Sequence, residues 1–205
     1  MNEQNIEKIK TRASILHKLM KIVFMIGIVV LGAAFIACIY FTFASPERFT
    51  AVQGNMNWSL RYTVNGSSHF FINAPYKILQ NLDTARVSAK NAFITIMVSA
   101  MISVLLILCG MKQVLNILKS TANDVTPFIQ SNAKSLKKLA YTILIYSIAA
   151  DLIANILCWI FVTKIFYVDL TNIHLNGVLI GALIFIVADI FQYGAFLQEE
   201  FDTTL

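Results

Sequence analysis

The sequence predicts an all-α integral membrane protein with four transmembrane helices, a cytoplasmic helical hairpin extension and a small extracytoplasmic β element. Composition is the first observation behind this fold class. Of the 205 residues, 58% are hydrophobic and only 13% are charged, whereas soluble domains carry about 25% charged residues. The second observation is that the apolar residues form four long runs separated by basic segments, which is typical of a single multi-pass membrane domain.

Each of the four runs is long enough to cross a bilayer as a helix, which takes about 20 apolar residues. The runs cover residues 22–44, 92–111, 139–162 and 177–197. The first run has no charged residue and is longer than the roughly 7–15 residues of a signal-peptide core, so we expect it to be retained as a helix. The third and fourth runs are each interrupted by one acid, Asp151 and Asp189.

The distribution of lysine and arginine predicts the orientation. Five basic residues precede the first run, five lie between the second and third, one lies between the third and fourth, and none follows the fourth. The five in the long first connection carry less weight, because long loops translocate largely regardless of charge. We therefore expect the chain to lie in the lipid bilayer with both termini cytoplasmic.

The outer connection, residues 45–90, begins with a predicted β element. Residues 58–64 (WSLRYTV) and the segment HFFIN flank Asn65-Gly66, a strong hairpin signal. Residues 48–52 (RFTAV) are a candidate third strand. Two interpretations stay open: a cap over the helix ends, which the pattern favours, and a ligand-sensing surface.

The inner connection, residues 112–138, is predicted to form a helical hairpin. Apolar residues recur at helical spacing from Met111 to Val125, so the second helix is expected to continue as an amphipathic extension. A new helix is expected to begin at Pro127, with Thr126 as its N-cap. The lysines of this helix either meet anionic lipid headgroups or dock a partner. They are Lys134, Lys137 and Lys138.

The tail carries acids and no base. These acids are Glu199, Glu200 and Asp202. Negative charge at a helix C-terminus opposes the helix dipole, so either a local group offsets it or the helix ends earlier. A salt bridge from the tail to the inner lysines is one interpretation, and a docking site for a basic cytosolic protein is the functional alternative.

Polar residues inside the third and fourth runs form a candidate intramembrane site. It comprises Ser147, Asp151, Asn155, Asp189, Gln192 and Tyr193. An ionised Asp in mid-membrane costs about 2.5–3.5 kcal/mol on insertion scales. Because no Lys, Arg or His lies inside any run, neither aspartate is expected to have an intramembrane cation. Hydrogen bonding between helices is the favoured role, with proton or cation sensing and transport as alternatives.

Gly177 and Gly181 form a GxxxG pair that predicts close helix packing, within the bundle or in a homodimer. Catalytic motifs are missing from the sequence, and its three histidines are scattered. The three cysteines fall inside apolar runs, where they are expected to pack as small hydrophobic residues. The sequence therefore predicts no enzyme, no cofactor, no metal and no direct nucleic acid binding.

Two segments resemble a known family. They are NDVTPFIQSNAKSLKKLAY in the inner hairpin and DIFQYGAFLQEEFDTTL at the end of the sequence. Both are similar to the recurring segments of the bacterial family called domain of unknown function 2975. The matching residues are Pro127, Phe128, Asn132, Leu136, Gly194, Leu197, Glu199 and Thr204.

The resemblance implies a four-helix inner-membrane protein without an established activity. It also implies signalling with a cytosolic DNA-binding partner, because members are often encoded beside a small helix-turn-helix regulator. We therefore expect a non-enzymatic membrane regulator or sensor. The alternative is a small proton- or ion-coupled transporter that uses Asp151 and Asp189.

Overall fold

The computed structural model describes residues 3–55, 57–75, 88–123, 128–164 and 174–203. Helices dominate them: α1 (Glu3–Phe43), α2 (Ala89–Asn123), α3 (Gln130–Cys158) and α4 (Leu175–Thr203). Between α1 and α2 the chain forms three strands, β1 (Phe49–Gln53), β2 (Asn57–Val64) and β3 (Ser67–Pro75). A 3-10 helix, Pro46–Arg48, precedes β1, and a π-helix, Trp159–Thr163, follows α3.

All four helices are long and apolar enough to cross a membrane, which confirms that part of the predicted fold class. Many apolar side chains of α1 are not covered by the rest of the chain, as in Val29 and Ile36, which are 67% and 69% exposed. Such a surface is expected where the surrounding solvent is lipid rather than water.

The helices are longer than the apolar runs because polar and amphipathic segments continue them. α2 extends to Asn123, and α3 already begins at Gln130. The turn between them, including the predicted cap Thr126 and Pro127, lies outside the described residues. So do residues 76–87 of the outer connection.

The chain divides into two compact units. The first unit contains residues 1–29, 105–148 and 174–205, and the second contains residues 30–104 and 149–173.

The small sheet belongs to the second unit and confirms the predicted β element. Its strands are antiparallel in the order β1-β2-β3. Asn65 and Gly66 both have positive φ, 52° and 79°, as a type I′ turn requires at its two central positions. Residues of β2 alternate between two faces, so that Trp58, Leu60 and Tyr62 are buried.

The buried face of the sheet packs on a cluster of aromatic rings. Phe41, near the end of α1, is 2% exposed. Its ring centroid lies 5.0 Å from those of Tyr62 and Phe93. Each such pair of rings stabilises the fold by about 0.5–1.5 kcal/mol beyond the stabilisation that comes from burying apolar area. This aromatic cluster forms the core of the second unit.

Polar groups complete the core at the junction of helix and sheet. The Tyr40 and Tyr62 hydroxyls are 3.1 Å apart, and Arg48 Nη1 donates to the Tyr62 hydroxyl at 3.3 Å. The hydrogen bonds with Tyr40 and Arg48 lower the pKa of Tyr62. Lys90 Nζ donates to the carbonyl oxygens of Thr42 and Ala44, at 2.8 and 2.7 Å. This ammonium satisfies carbonyls that the end of α1 leaves without helical partners.

Candidate functional site

Within the first unit, α3 and α4 run antiparallel and in close contact. A Cβ on Gly181 would lie 2.8 Å from Leu144 Cγ, and one on Gly177 would meet the Ser147 hydroxyl. Further along, the rings of Tyr141 and Phe185 pack edge to face at 4.7 Å. The structure thus places both residues of the GxxxG pair against α3, where the lack of a side chain permits the close approach.

An ion pair continues this contact in the same register. Lys137 Nζ of α3 lies 3.0 Å from Asp189 Oδ1 of α4. The same ammonium donates to Gln192 Oε1 at 2.7 Å. Asp189 and Gln192 are three residues apart and so share one helix face, which lets a single lysine engage both. These three side chains form a polar contact between α3 and α4.

The ion pair gives Asp189 a cationic partner from outside the apolar runs, whereas the expectation concerned only cations inside them. Lys137 lies just outside the third apolar run, and this position suggested a role in docking. In the structure α3 begins seven residues earlier, at Gln130, and α4 lies alongside its first turns. Whether a lysine contacts an acid on another helix depends on the register between the two helices. The residues within each apolar run do not determine that register.

A double-mutant cycle tests the coupling of Lys137 and Asp189. Charge reversal at either position, Lys137→Glu or Asp189→Lys, should lower the thermal stability in detergent, and the double swap should restore it. The side chains are 37% and 67% exposed, so a coupling energy of about 1 kcal/mol or less is expected. Lys138→Glu makes the same charge change at the next residue and should have little effect. A double swap no more stable than the single variants would contradict the pairing.

The remaining polar residues of the third run do not share one environment. The Ser147 hydroxyl donates to the Ile143 carbonyl of its own helix, at 2.8 Å. Asn155 is 7% exposed, and its Nδ2 has no hydrogen-bond partner in the part of the chain that the structure describes. Asp151 is half-buried and has a partner. Asp151 and Asn155 belong to the second unit, whereas Asp189, Gln192 and the exposed Tyr193 belong to the first.

The helix at the end of the chain does not stop before its acids. α4 continues through Glu199 and Glu200 to Thr203. The Thr203 hydroxyl lies 3.0 Å from the carbonyl oxygens of both glutamates and donates to them. Of these two carbonyls, that of Glu200 is among the last four of the helix, which have no partner within it. Both glutamates are exposed, and the side chain of Asp202 lies outside the described residues.

The lysines of the inner hairpin fall into two groups. Lys134 and Lys138 are exposed, so they are available to lipid headgroups or to a partner. Lys137 is half-buried and engaged by Asp189 and Gln192.

Sequence reasoning also missed an aromatic contact beside the ion pair. Phe128, just before α3, packs against Phe191 with ring centroids 4.9 Å apart and ring planes tilted by 47°. Its ring occupies the space that a side chain at Gly194 would need. Phe128 lies in the first of the two quoted family segments, and Gly194 lies in the second. That both segments recur in the family was the available signal that they meet.

Four helices of spanning length, of which α3 and α4 pack through glycines and an ion pair, are typical of a multi-pass membrane protein. The chain belongs to the family described as protein of unknown function (DUF2975), whose model matches residues 67–205. The match includes β3 and the three following helices. No curated protein and no solved structure matches the chain. Among the described residues, no group of three or more His, Cys, Asp or Glu side chains is placed to hold a metal ion.

Proposed function

We propose that the protein is a non-enzymatic regulator of the inner membrane that engages a basic cytosolic protein. In this proposal both termini lie in the cytoplasm, as the lysine and arginine distribution predicts. The observation that carries the proposal is the last part of α4. There the helix continues beyond Asp189 and presents aromatic and acidic side chains together.

One face of this helix segment has the spacing of a docking motif. Tyr193, Phe196, Leu197 and Glu200 follow one another at i, i+3, i+4 and i+7, with Glu199 beside them. We call these five residues the acidic-aromatic surface. Tyr193 is 64% exposed and Phe196 is 55% exposed. An amphipathic helix that enters a groove of a partner uses anchors at this spacing, and aromatic residues are enriched at interface cores.

The negative charge of the surface favours a protein partner over lipid. It also favours a partner whose own charge is positive. Placing Glu199 and Glu200 in hydrocarbon would cost several kcal/mol, so the segment is better suited to water and to a protein. Acidic residues beside aromatic anchors are complementary to a basic groove, and such complementarity speeds association and fixes the docking register. A small helix-turn-helix regulator, which the family resemblance implies, is a partner of this kind.

The ion pair bears on the transporter alternative at Asp189, one of the two aspartates that this alternative uses. A transport path would need a carboxylate that is free to exchange its proton or cation. Asp189 is instead held by Lys137 at 3.0 Å.

Affinity capture from gently solubilised membranes tests the proposal. The double variant Glu199→Gln/Glu200→Gln should insert normally and should capture a basic cytosolic protein at least about tenfold less well than the unchanged protein, because the complementary charge is lost. Capture by the unchanged protein should also weaken as salt is raised, since exposed charges are screened. The double variant Tyr193→Ala/Phe196→Ala, which keeps Glu199 and Glu200, should also fail to capture the partner protein.

The matched control is Glu3→Gln/Glu7→Gln, which removes the same charge from the N-terminal helix and should leave capture unchanged. Equal capture of the same basic protein by the Glu199/Glu200 variant would contradict the proposal. The exposed lysines Lys134 and Lys138 would then be the next surface to test.

A further inference from the structure

The face of the small sheet turned away from its aromatic core carries a groove. It measures about 270 Å³ and is lined by side chains of two neighbouring strands. These are Ser59, Arg61, Ser68, Phe71 and Asn73. Neither the ion pair nor the acidic-aromatic surface uses any of them.

The strand register brings these side chains together. In the β2–β3 pair Arg61 lies opposite Phe71, and Ser59 lies opposite Asn73. Because alternate residues of a strand point to opposite faces, Ser59 and Arg61 lie on the side away from the buried Trp58, Leu60 and Tyr62. Cross-strand neighbours on one face are close enough for their side chains to act on one molecule.

Arg61 is the only charged residue that lines the groove in the described part of the chain. Its Nε donates to Ser59 Oγ at 3.3 Å, which orients the guanidinium. The other guanidinium N–H groups are left for a ligand, because no described carboxylate forms a salt bridge with Arg61. A planar fork of this kind matches the two oxygens of a carboxylate.

Phe71 gives the groove an apolar wall. It is 69% exposed, although the neighbouring Phe70 packs on Phe41 at 5.5 Å. An aromatic ring left uncovered next to a polar set is the composition of a small-molecule site, where a few polar groups orient an apolar ligand. The amide of Asn73 and the hydroxyl of Ser68 supply further uncharged hydrogen-bonding groups.

We propose that this groove binds a small organic acid with an apolar or aromatic body. The carboxylate lies on the Arg61 guanidinium, and the body stacks on Phe71. The site goes beyond the proposed function and does not depend on the acidic-aromatic surface or on any cytosolic partner.

Three probes separate the parts of this recognition in purified protein held in an uncharged detergent. They are benzoate, which has both ring and carboxylate, benzamide, which has the ring without the charge, and acetate, which has the charge without the ring. Benzoate should bind saturably, with a Kd on the order of 1 mM, because so small a ligand makes few contacts. Benzamide and acetate should bind at least about tenfold more weakly. If benzamide bound as tightly as benzoate, the proposal would be overturned.

Variants assign the binding to the groove. Arg61→Gln should abolish benzoate binding, and Arg61→Lys should weaken it at least about tenfold, since a lysine keeps the charge without the fork. Phe71→Ala should lower the affinity for benzoate to that for acetate. Arg12→Gln removes one arginine from the N-terminal helix and should change nothing.

Unchanged benzoate binding by a folded Arg61→Gln protein would contradict the assignment. The thermal stability without ligand shows whether that variant is folded. Binding to phosphatidylglycerol vesicles through Arg61, with no response to benzoate, would also overturn it, because the face would then be a membrane contact.

Discussion

In detergent, replacing Phe41 by alanine is expected to destabilise the second unit by about 3–5 kcal/mol, the usual cost of truncating a buried aromatic residue. Phe41 is 2% exposed, and its ring contacts five other aromatic rings at centroid distances of 5.0 to 6.2 Å. Truncation removes all these contacts at once and leaves a cavity between helix and sheet. Thermal unfolding followed by the fluorescence of the buried Trp58 measures the loss.

The same helix supplies the control for this prediction. Phe43 is two residues further on and 86% exposed, so Phe43→Ala makes the same chemical change without opening a cavity. Its effect in detergent should stay within about 0.5 kcal/mol, as for other surface substitutions. Equal losses for the two variants would show that the aromatic cluster is not the core of the second unit.

Leucine at Gly181 is expected to force α3 and α4 apart. A Cβ at this position would already lie 2.8 Å from Leu144 Cγ and 3.4 Å from the Ala140 carbonyl oxygen, and a leucine adds three more carbons. Overpacking of this kind costs about 1–3 kcal/mol or more. Thermal stability in detergent and the proteolysis rate near α4 should both report the change.

Two further variants make the packing prediction specific. Gly32 of α1 has no atom within 4 Å of a Cβ built on it, so Gly32→Leu should be tolerated. Leu144→Ala combined with Gly181→Ala should recover part of the stability that Gly181→Ala loses, because the two sites share one contact. A Gly181→Leu protein as stable as the Gly32→Leu protein would contradict the α3–α4 contact.

The elements that local pattern controls were predicted well from the sequence. Apolar runs of spanning length gave the four helices, and Asn65-Gly66 between β-forming segments gave the hairpin. Alternation in residues 58–64 identified the strand that buries Trp58, Leu60 and Tyr62. In each case the side chains that determine the element lie within a few residues of one another.

Contacts that depend on register could not be predicted. The sequence places Lys137 and Asp189 more than fifty residues apart, and only the antiparallel packing of α3 on α4 brings them to 3.0 Å. Arg61 and Phe71 likewise lie opposite each other because of the particular register in which β2 and β3 pair. A shift of that register by one residue would separate them. The acidic tail posed a different problem, because the sequence left open whether α4 ends before its acids, and the helix continues through them to Thr203.

The aromatic cluster also constrains the order in which the protein can mature during translation. The hydrophobic core that contains this cluster draws its residues from the end of α1, the sheet and the start of α2, and finally from Cys158, the last residue of α3, and Val162 of the following π-helix. At synthesis rates of about 5–20 residues per second, the ribosome needs roughly 6–25 s to pass from Phe41 to Val162. During that interval Phe41 and its neighbours have no complete core to enter. The core of the second unit is therefore completed only late in translation, once α3 and the π-helix that follows it have been made.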